Sequence, residues 1–341
     1  MPKILSIEEL LPLTDSIKLI DVRSPAEYEL AHIPGAVNIP IFDNAERREV
    51  GIKYKVGGRD NAVLLGLDFV GPKMSDFVRQ ARQLARNKQV MVHCWRGGMR
   101  SASMAWLFET AGLEVFVLKG GYKAYRQYIR KQFSRPAEIL VLGGYTGSGK
   151  TEILQTLKAS GEQFLDIEGI AHHRGSAFGT LGQEAQPSNE QFENNLADAW
   201  RKFDHNKKIW VEDESRQLGK CGIPDPLFQQ MRQAPLIKIN IPKPIREQRL
   251  VKEYGTFDKA LLKEQIEKIK KRLGGKNTSE ALSAIDEGDI LRAASLSLAY
   301  YDKAYDFGMS KRDQKKVITL DLEKDDPAEN AEKIKDFLIK N

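Results

Sequence analysis

EILVLGGYTGSGKTEILQTLKASG (residues 138–161) is the stretch that decides the fold of the second half of this 341-residue chain. Its apolar run predicts a buried strand, a glycine-rich turn follows, and the helical pattern after the turn ends at Gly161. The turn from Gly144 to Thr151 fits the pattern G-x-x-x-x-G-K-[ST], with the strand before it and the helix after it that this pattern requires. The sequence therefore predicts a phosphate-binding loop in a parallel α/β sheet.

The residue types of this loop are suited to holding a phosphate. Its glycines let successive N–H groups surround the anion, Lys150 can reach an outer phosphate, and the Thr151 hydroxyl can bind Mg²⁺. A second buried strand, residues 207–213, ends in carboxylates, and we expect Asp213 among them to face that metal. The pattern leaves the ligand open among ATP, GTP, a diphosphate leaving group and a small phosphorylated donor. The residues expected to form this site are Gly144, Thr146, Gly147, Ser148, Gly149, Lys150, Thr151 and Asp213.

The first 130 residues show the same alternation of short apolar runs with helical spacing. This alternation predicts a further parallel α/β sheet. The predicted strands lie at 17–22, 36–40, 89–94 and 115–121, and the predicted helices at 74–87 and 101–112. The whole chain is thus expected to be α/β, with a first domain at 1–130, a phosphate-loop domain at 131–242 and a mostly helical, basic part of that second domain at 243–341.

A cysteine, Cys94, ends the strand 89–94 and is followed by the loop WRGGMRS (95–101) and a helix. Converging backbone N–H groups, the positive end of the helix and the charges of Arg96 and Arg100 all favour a thiolate, which is the nucleophilic form. The other interpretation is a buried cysteine without a chemical role, which is common at strand ends. The paired glycines and flanking arginines favour a catalytic loop formed by Cys94, Arg96 and Arg100.

The composition limits the class of protein. A hydrophobic fraction of 41% and a charged fraction of 29% are typical of a soluble globular chain. No run approaches the ~20 apolar residues of a membrane span. Two cysteines, Cys94 and Cys221, cannot form a disulfide framework, and they indicate a reducing cytosol. Cysteine and histidine show no metal-ligand spacing, so no dedicated metal site is expected.

The net charge of +6 is unevenly distributed. From Lys119 to Arg135 there are six basic residues, no acidic residue and four aromatic rings. A second stretch, 243–276, has eleven basic and five acidic residues. Such clusters favour a polyanionic partner, and solvated helix faces are the alternative, above all for the second stretch. The residues expected to bind the polyanion are Lys123, Arg126, Arg130 and Lys131.

Two motifs of the first domain resemble the rhodanese-like family. DVRSP (21–25) with HIPGA (32–36) is similar to the family's N-terminal signature, and CWRGGMRS (94–101) is similar to its active-site loop. The resemblance covers residues ~5–130. It implies a cysteine that carries sulfur as a persulfide, or that handles selenium as in some relatives. Asp21 and Arg23 are expected to anchor the first strand and its turn rather than to catalyse.

The order of the two domains resembles the bacterial tRNA 2-selenouridine synthase family. Segments at 46–55 and 171–179 are similar to further parts of that family. The resemblance implies that selenium replaces sulfur at the wobble 2-thiouridine of tRNA, first by alkylation with geranyl diphosphate and then by transfer of selenium from selenophosphate. The phosphate loop would hold one of these donors, with Mg²⁺ as an option and no tightly bound cofactor. Cys94 would serve the selenium step, and His173 and Arg174 are candidates for lining the phosphate site.

The implied partners are tRNA, bound through the basic segment 119–135, and an enzyme that supplies selenophosphate, in the cytoplasm and without a membrane. Two other functions stay open. One is a rhodanese-type sulfurtransferase coupled to an ATP-binding activating domain, which rapid ATP turnover would favour. The other is a tRNA-binding protein without catalysis, which an ordinary pKa at Cys94 would favour.

Overall fold

A computed structural model describes residues 1–176 and 178–340. Ala177, part of the segment 171–179 in the family resemblance, lies outside the described residues. The chain divides into two compact units. Unit 1 comprises Met1–Gln132 together with Glu193–Asp198, and unit 2 comprises the remainder of the chain from Phe133 onward. No helix among the described residues combines the length and the apolar character that crossing a membrane would demand.

Unit 1 is built on a five-stranded sheet of strand order β1-β5-β4-β2-β3, and all its neighbouring strands are parallel. A parallel sheet buries both faces, which explains why its central strands are apolar runs rather than alternating ones. The strands are β1 (Lys3–Leu5), β2 (Lys18–Asp21), β3 (Val37–Asn38), β4 (Gln89–His93) and β5 (Glu114–Leu118). The helices are α1 (Ile7–Leu10), α2 (Pro25–Leu30), α3 (Asn44–Val70), α4 (Met74–Leu84), α5 (Met99–Thr110) and α6 (Gly121–Gln132).

The sequence pattern did not predict the longest helix of unit 1, α3. Its start is fixed by a capping box, in which the Asp43 carboxylate accepts from the Glu46 N–H at 2.8 Å and the Glu46 carboxylate accepts from the Asp43 N–H at 2.9 Å. The pair Gly57-Gly58 conceals the helix in the sequence, since two glycines ordinarily indicate a break. Gly58 has φ 78° and ψ 179°, so α3 is two helical halves that meet at a kink.

Unit 2 is built on a second parallel sheet, of strand order β12-β11-β6-β8-β7. The strand before the phosphate loop, β6, is central, and all six of its residues are buried. The strands are β6 (Ile139–Gly144), β7 (Gln163–Phe164), β8 (Ile209–Glu212), the antiparallel pair β9 (Gln217–Leu218) and β10 (Cys221–Gly222), β11 (Leu236–Asn240) and β12 (Val317–Asp321). The helices are α7 (Lys150–Ala159), α8 (Ile167–Ala171), α9 (Asn189–Trp200, of which Glu193–Asp198 belong to unit 1), α10 (Asp225–Gln233), α11 (Lys243–Tyr254), α12 (Lys259–Leu273), α13 (Gly275–Glu287), α14 (Ile290–Met309) and α15 (Pro327–Lys340).

The segment 243–341 does more than extend the second domain with helices. Its strand β12 pairs in parallel with β11 and forms one edge of the sheet. Ala331 and Ile334 of α15 belong to the same hydrophobic core as Ile153 and Leu157 of α7. Helices α12, α13 and α14 form a separate apolar cluster of their own. The chain therefore needs this segment to complete the unit that carries the phosphate loop.

Candidate functional site

The cysteine loop, residues 94–101, connects β4 to α5 in unit 1 and is held from one side by the start of α6. The Tyr122 N–H donates to the Cys94 carbonyl at 2.9 Å, and the Lys123 N–H donates to the Trp95 carbonyl at 2.9 Å. Gly121 has φ 59°, and a Cβ there would collide with the Cys94 carbonyl oxygen. Backbone contacts therefore fix the conformation of this loop.

The surroundings of the Cys94 thiol favour its ionised form. Burial alone would raise the pKa of Cys94, but the Ser101 hydroxyl and N–H, the Arg96 N–H and the charge of Arg100 outweigh burial and lower it. The Cys94 Sγ and Ser101 Oγ atoms lie 3.2 Å apart. Cys221 shows the opposite behaviour, since burial raises its pKa. Of the two cysteines, Cys94 is thus the one whose surroundings favour a thiolate.

The two arginines of the loop differ in their surroundings. Arg100 forms a bidentate ion pair with Glu27, with distances of 2.7 and 3.3 Å between nitrogen and oxygen. Glu27 also lies 3.6 Å from the Nε atom of Arg47 in the first turn of α3. Arg96 is exposed on the loop. Arg100 therefore has a structural tie as well as an electrostatic effect on Cys94, while the side chain of Arg96 faces solvent.

Asp21 and Arg23 form a buried ion pair, as the sequence analysis expected. Their closest atoms are 2.5 Å apart, and Arg23 also donates to the Ala31 carbonyl at 2.8 Å. The Arg23 guanidinium lies over the Tyr122 ring at 4.0 Å. These contacts tie the end of β2 to the following turn and to α6, so the pair is part of the scaffold.

The basic residues predicted on α6 separate into two groups. Arg126 is buried, donates to the Asn194 side chain at 2.6 Å and pairs with Glu193. Its guanidinium is therefore engaged inside unit 1 and is not available to a phosphate of a partner. The exposed residues of the predicted set are Lys123, Arg130 and Lys131.

The phosphate loop of unit 2 runs from the end of β6 to the start of α7. Lys150 donates to the Gly144 carbonyl at 3.2 Å and so lies across the mouth of the loop. The Ser148 hydroxyl is buried and has no hydrogen-bond partner among the described residues. A buried, unpartnered donor costs free energy unless a ligand satisfies it. The interior of the loop is thus shaped for an anion.

Arg246 of α11 contacts the backbone of the phosphate loop. It donates to the Thr146 carbonyl at 3.2 Å and forms two 2.9 Å hydrogen bonds to the Asp302 carboxylate. Arg249, one turn later, pairs with Glu152 of α7 and Asp325. The sequence analysis named neither arginine, because their distance from the loop along the chain exceeds ninety residues.

Three carboxylates meet beside Thr151: Glu168, Glu212 and Glu214, with one oxygen of each within 4.8 Å of the others. Glu212 ends β8, where it lies opposite Leu142 of β6. The Thr151 hydroxyl lies 3.4 Å from Glu168. This carboxylate cluster is the place where a P-loop protein would hold a divalent cation, and oxygen donors suit Mg²⁺. The unpartnered, buried Oε1 atom of Glu212 fits such an ion.

The structure places Asp213 differently from the prediction. Its carboxylate pairs with Arg312 at 2.5 Å and lies 3.7 Å from Arg232. Glu212, not Asp213, belongs to the carboxylate cluster. Consecutive residues of a strand point to opposite faces, so an offset of one residue exchanges the two roles.

The surroundings of the carboxylate cluster favour the protonated forms of its members. Burial and the charge of Glu212 raise the pKa values of Glu168 and Glu214, the latter to about 7. Burial likewise raises the pKa of Glu212, although Lys150 opposes the effect. One buried and two half-buried carboxylates so close together resist ionising all at once, so shared protons or a cation would balance their charge.

His173 and Arg174 are neighbours in sequence but lie in different surroundings. Arg174 lines the phosphate cavity and pairs with Glu253. His173 is buried outside that cavity, and burial lowers its pKa. A side chain added at Gly179 would clash with its ring. Arg174 therefore remains a candidate for the phosphate site, whereas His173 packs in the interior.

Two cavities adjoin at the phosphate loop. The phosphate cavity, about 450 Å³, is lined by the loop from Thr146 to Thr151, the carboxylate cluster and several cations. The apolar pocket opens beside it between α11, α12, α13 and α14. The two cavities share Thr146, Ser176, Leu250, Tyr254 and Tyr301. The other walls of the apolar pocket are mainly hydrocarbon, from Phe178, Leu262, Ile266, Ile285, Ile290, Ala293 and Ala294.

Comparisons with known proteins agree with this architecture. The description "tRNA 2-selenouridine synthase AAA domain" matches residues 137–326, which is more than half of the chain. The description "Rhodanese-like domain" matches residues 6–128. The chain belongs to the tRNA 2-selenouridine synthase family. It is therefore an enzyme of a tRNA-modifying family, and the family predicted from the sequence is confirmed.

Curated relatives in the tRNA 2-selenouridine synthase family cover most of the chain. The synthase of Bdellovibrio bacteriovorus is 40% identical over 297 residues, covering 83% of this chain and 73% of the relative. That of Psychromonas ingrahamii is 34% identical, covering 86% and 88%. That of Bordetella bronchiseptica is 34% identical, covering 89% and 91%. The similarity thus spans both units.

Several site residues of this family member escaped the sequence analysis. Glu168 belongs to the carboxylate cluster, but its neighbours in FLDIEG gave it the appearance of a strand end. The apolar pocket comes from helices whose charged faces dominate the sequence pattern. The pairing of β8 with β6 places Glu212 opposite Leu142, toward the end of β6 at which the phosphate loop begins.

Proposed function

We propose that this enzyme converts 2-thiouridine of tRNA to 2-selenouridine through an S-geranylated intermediate, with geranyl diphosphate bound in unit 2 and selenophosphate as the selenium donor. The observation that carries the proposal is the apolar pocket beside the phosphate loop. A prenyl diphosphate needs an anion site and a hydrocarbon site side by side. The walls of Leu250, Leu262, Ile266 and Ile285 suit an apolar group better than the polar edges of a nucleotide base. The pocket has a volume of about 40 Å³ and must widen to admit a geranyl chain.

In the first step a bond forms between the thiouridine sulfur and C1 of the geranyl group. The bond from C1 to the diphosphate oxygen breaks, and the diphosphate leaves with the electron pair. Lys150 and the loop N–H groups are placed to stabilise the charge that develops on the leaving group. The uracil N3 proton is released. Glu168, Glu212 and Glu214 would hold a Mg²⁺ ion, which supplies further charge stabilisation to a diphosphate.

In the second step the selenium of selenophosphate bonds to C2 of the base and the C2–S bond breaks, so that geranylthiol leaves. Water then cleaves the P–Se bond, inorganic phosphate is released, and N3 of the base regains its proton. Cys94 serves this step, because its thiolate is the activated nucleophile of unit 1. Lys123, Arg130 and Lys131, exposed on α6 after the cysteine loop, are proposed tRNA contacts. A labile donor such as selenophosphate also implies a partner enzyme that supplies it.

The apolar pocket gives a direct test of the first step. Ala294 of α14 lines the pocket and is half-buried, so Ala294→Phe should occupy pocket volume without disturbing the core. We expect the dissociation constant of geranyl diphosphate to rise about tenfold or more, because hydrocarbon burial supplies ~0.8 kcal/mol for each CH₂ group. Binding of inorganic diphosphate should not change. Isothermal titration calorimetry measures both.

Ala299→Phe is the matched control, since Ala299 is exposed on the same helix. Equal affinities of the two variants for geranyl diphosphate would contradict the proposed binding mode. Displacement of geranyl diphosphate by ATP, with ATP turnover during transfer of sulfur from Cys94, would instead support an ATP-coupled sulfurtransferase.

A further inference from the structure

The kink of α3 forms an exposed corner in unit 1, residues Gly51–Asn61. Val50 before the corner and Phe69 after it pack against the hydrophobic core of unit 1. From Gly51 to Asn61 the chain is exposed or half-exposed, and the Asn61 side chain donates to the Gly57 carbonyl at 2.7 Å across the kink. The corner is therefore a fixed projection rather than a disordered loop.

The corner presents apolar and aromatic side chains to solvent. The exposed fractions are 56% for Ile52, 59% for Tyr54 and 85% for Val56. Three large apolar groups on one short projection are unfavourable in water, and such clusters mark interaction sites. The corner is built to be covered by a partner.

The charge of the corner indicates which partner. Lys53, Lys55 and Arg59 are exposed, and Asp60 is the one acidic residue of the corner, which leaves a net charge of +2. Within the described part of the chain, none of these three cations has an ion-pair partner. Cations that alternate with an exposed aromatic ring match single-stranded RNA, whose phosphates need charge and whose unpaired bases stack on aromatic faces.

The corner is connected to the cysteine loop through one carboxylate. Glu27 pairs with Arg100 of the cysteine loop at 2.7 Å and lies 3.6 Å from Arg47 in the first turn of α3. From Arg47 to Gly57 the helix rises ~15 Å at 1.5 Å per residue. An RNA whose reacting base reaches the cysteine loop would therefore have neighbouring nucleotides within reach of the corner.

We propose that the corner Gly51–Asn61 is an RNA-binding element that holds the single-stranded part of tRNA beside the cysteine loop. Lys53, Lys55 and Arg59 bind phosphates, and Tyr54 stacks on an unpaired base. This inference rests on tRNA as the substrate in the proposed function. It adds a binding surface separate from the basic helix α6.

The test is tRNA binding by full-length Lys53→Glu/Lys55→Glu over a range of salt concentrations. We expect affinity to fall about tenfold or more and the slope of log K against log salt to flatten by about 1 for each lost lysine. The control is Lys207→Glu/Lys208→Glu, which makes the same charge change. Those lysines are exposed before β8, at the opposite edge of the sheet from the phosphate loop. An equal loss of affinity in both variants would overturn the proposal.

A second pair of variants tests the aromatic ring of Tyr54 separately from the charges. Tyr54→Ala should weaken tRNA binding about tenfold, whereas Tyr54→Phe, which retains the stacking face, should bind like the wild type. The rate of Cys94 alkylation, expected unchanged, reports that unit 1 is folded. Wild-type affinity in both the alanine and the charge-reversal variants would sink the inference and leave the proposed function intact.

Two outcomes identify other failures. A wild-type chain that binds no tRNA would overturn the proposed function itself. Corner variants with unchanged tRNA affinity that lose binding to vesicles of anionic phospholipid would reassign the corner to a membrane surface.

Discussion

The cysteine loop and the phosphate loop have the same backbone design and opposite electrostatics. Each begins at the end of a parallel strand, turns through glycines and leads into a helix N-terminus, where partial positive charge favours an anion. At the cysteine loop, hydrogen bonds from Ser101 and Arg96 and the charge of Arg100 offset the burial of Cys94 and lower its pKa. At the phosphate loop, burial and mutual repulsion raise the pKa values of Glu168 and Glu214.

The difference in electrostatics between the two loops shows which groups determine the chemistry of such a turn. The surroundings of one loop favour an anion of the protein itself, the Cys94 thiolate. The other loop leaves its anion to a ligand and places carboxylates nearby, which only a proton or a cation can neutralise. The backbone therefore provides a general anion site, and the side chains around it determine whether the anion belongs to the protein or to a ligand.

The largest expected effects come from disabling the cysteine loop and the phosphate loop in separate variants. Cys94→Ala should reduce formation of selenouridine about 1000-fold or more and leave transfer of the geranyl group to tRNA unchanged. Lys150→Ala should reduce geranyl transfer about 100-fold or more, since it removes charge stabilisation from the leaving diphosphate. Mass analysis of tRNA nucleosides after incubation with each donor separates the two steps.

Lys158→Ala controls for loss of a lysine, because Lys158 is exposed on the same helix as Lys150. If Cys94→Ala and Lys150→Ala both abolished geranyl transfer, the loops would act in one step and the comparison would fail.

The sequence was sufficient for both loops because each is encoded locally. Strand, glycines and helix of the phosphate loop lie within 138–161, and those of the cysteine loop within 89–112. The parts that were missed depend on contacts distant in sequence. Arg246 reaches Thr146 from α11, and the apolar pocket needs four helices of the segment 243–341.

Asp213 shows a different limit of prediction. The apolar run KKIWVED locates the strand, but a register uncertain by one residue exchanges Glu212 and Asp213 between the faces of the sheet. Only the pairing of β8 with β6 decides that Glu212 lies beside the phosphate loop and that Asp213 pairs with Arg312. In the same way, the local charge placed Arg126 in a basic segment but could not show that Arg126 pairs with Glu193.

An intermediate effect sharpens the cysteine side of the comparison. Ser101→Ala removes the hydroxyl that lies 3.2 Å from the Cys94 sulfur and helps to lower its pKa. We expect the rate of Cys94 alkylation by iodoacetamide to fall about fivefold at pH 7 and to match the wild type near pH 10, where both thiols are ionised. A Cys221→Ser background removes the second thiol. The control is Ser103→Ala, at an exposed residue of the same helix, which should not change the pH dependence of the alkylation rate. An unchanged pH dependence in Ser101→Ala as well would show that the Ser101 hydroxyl has no electrostatic effect on Cys94.

The smallest effect concerns the stability of the carboxylate side. The pKa of Glu214 is raised to about 7 in the folded state. The contribution of Glu214 to the free energy of unfolding is therefore fully present below the unfolded pKa near 4.5 and is lost as the pH rises through 7. In the presence of EDTA, Glu214→Gln should therefore melt about 5 °C above the wild type at pH 8, and the difference should shrink as the pH falls toward 4.5. Glu184→Gln, at a residue whose side chain is 88% exposed, should follow the wild type in calorimetry at every pH. A Glu214→Gln protein that melted below the wild type at pH 8 would mean that Lys150 stabilises the ionised cluster in full, and the two loops would then differ less than their pKa values indicate.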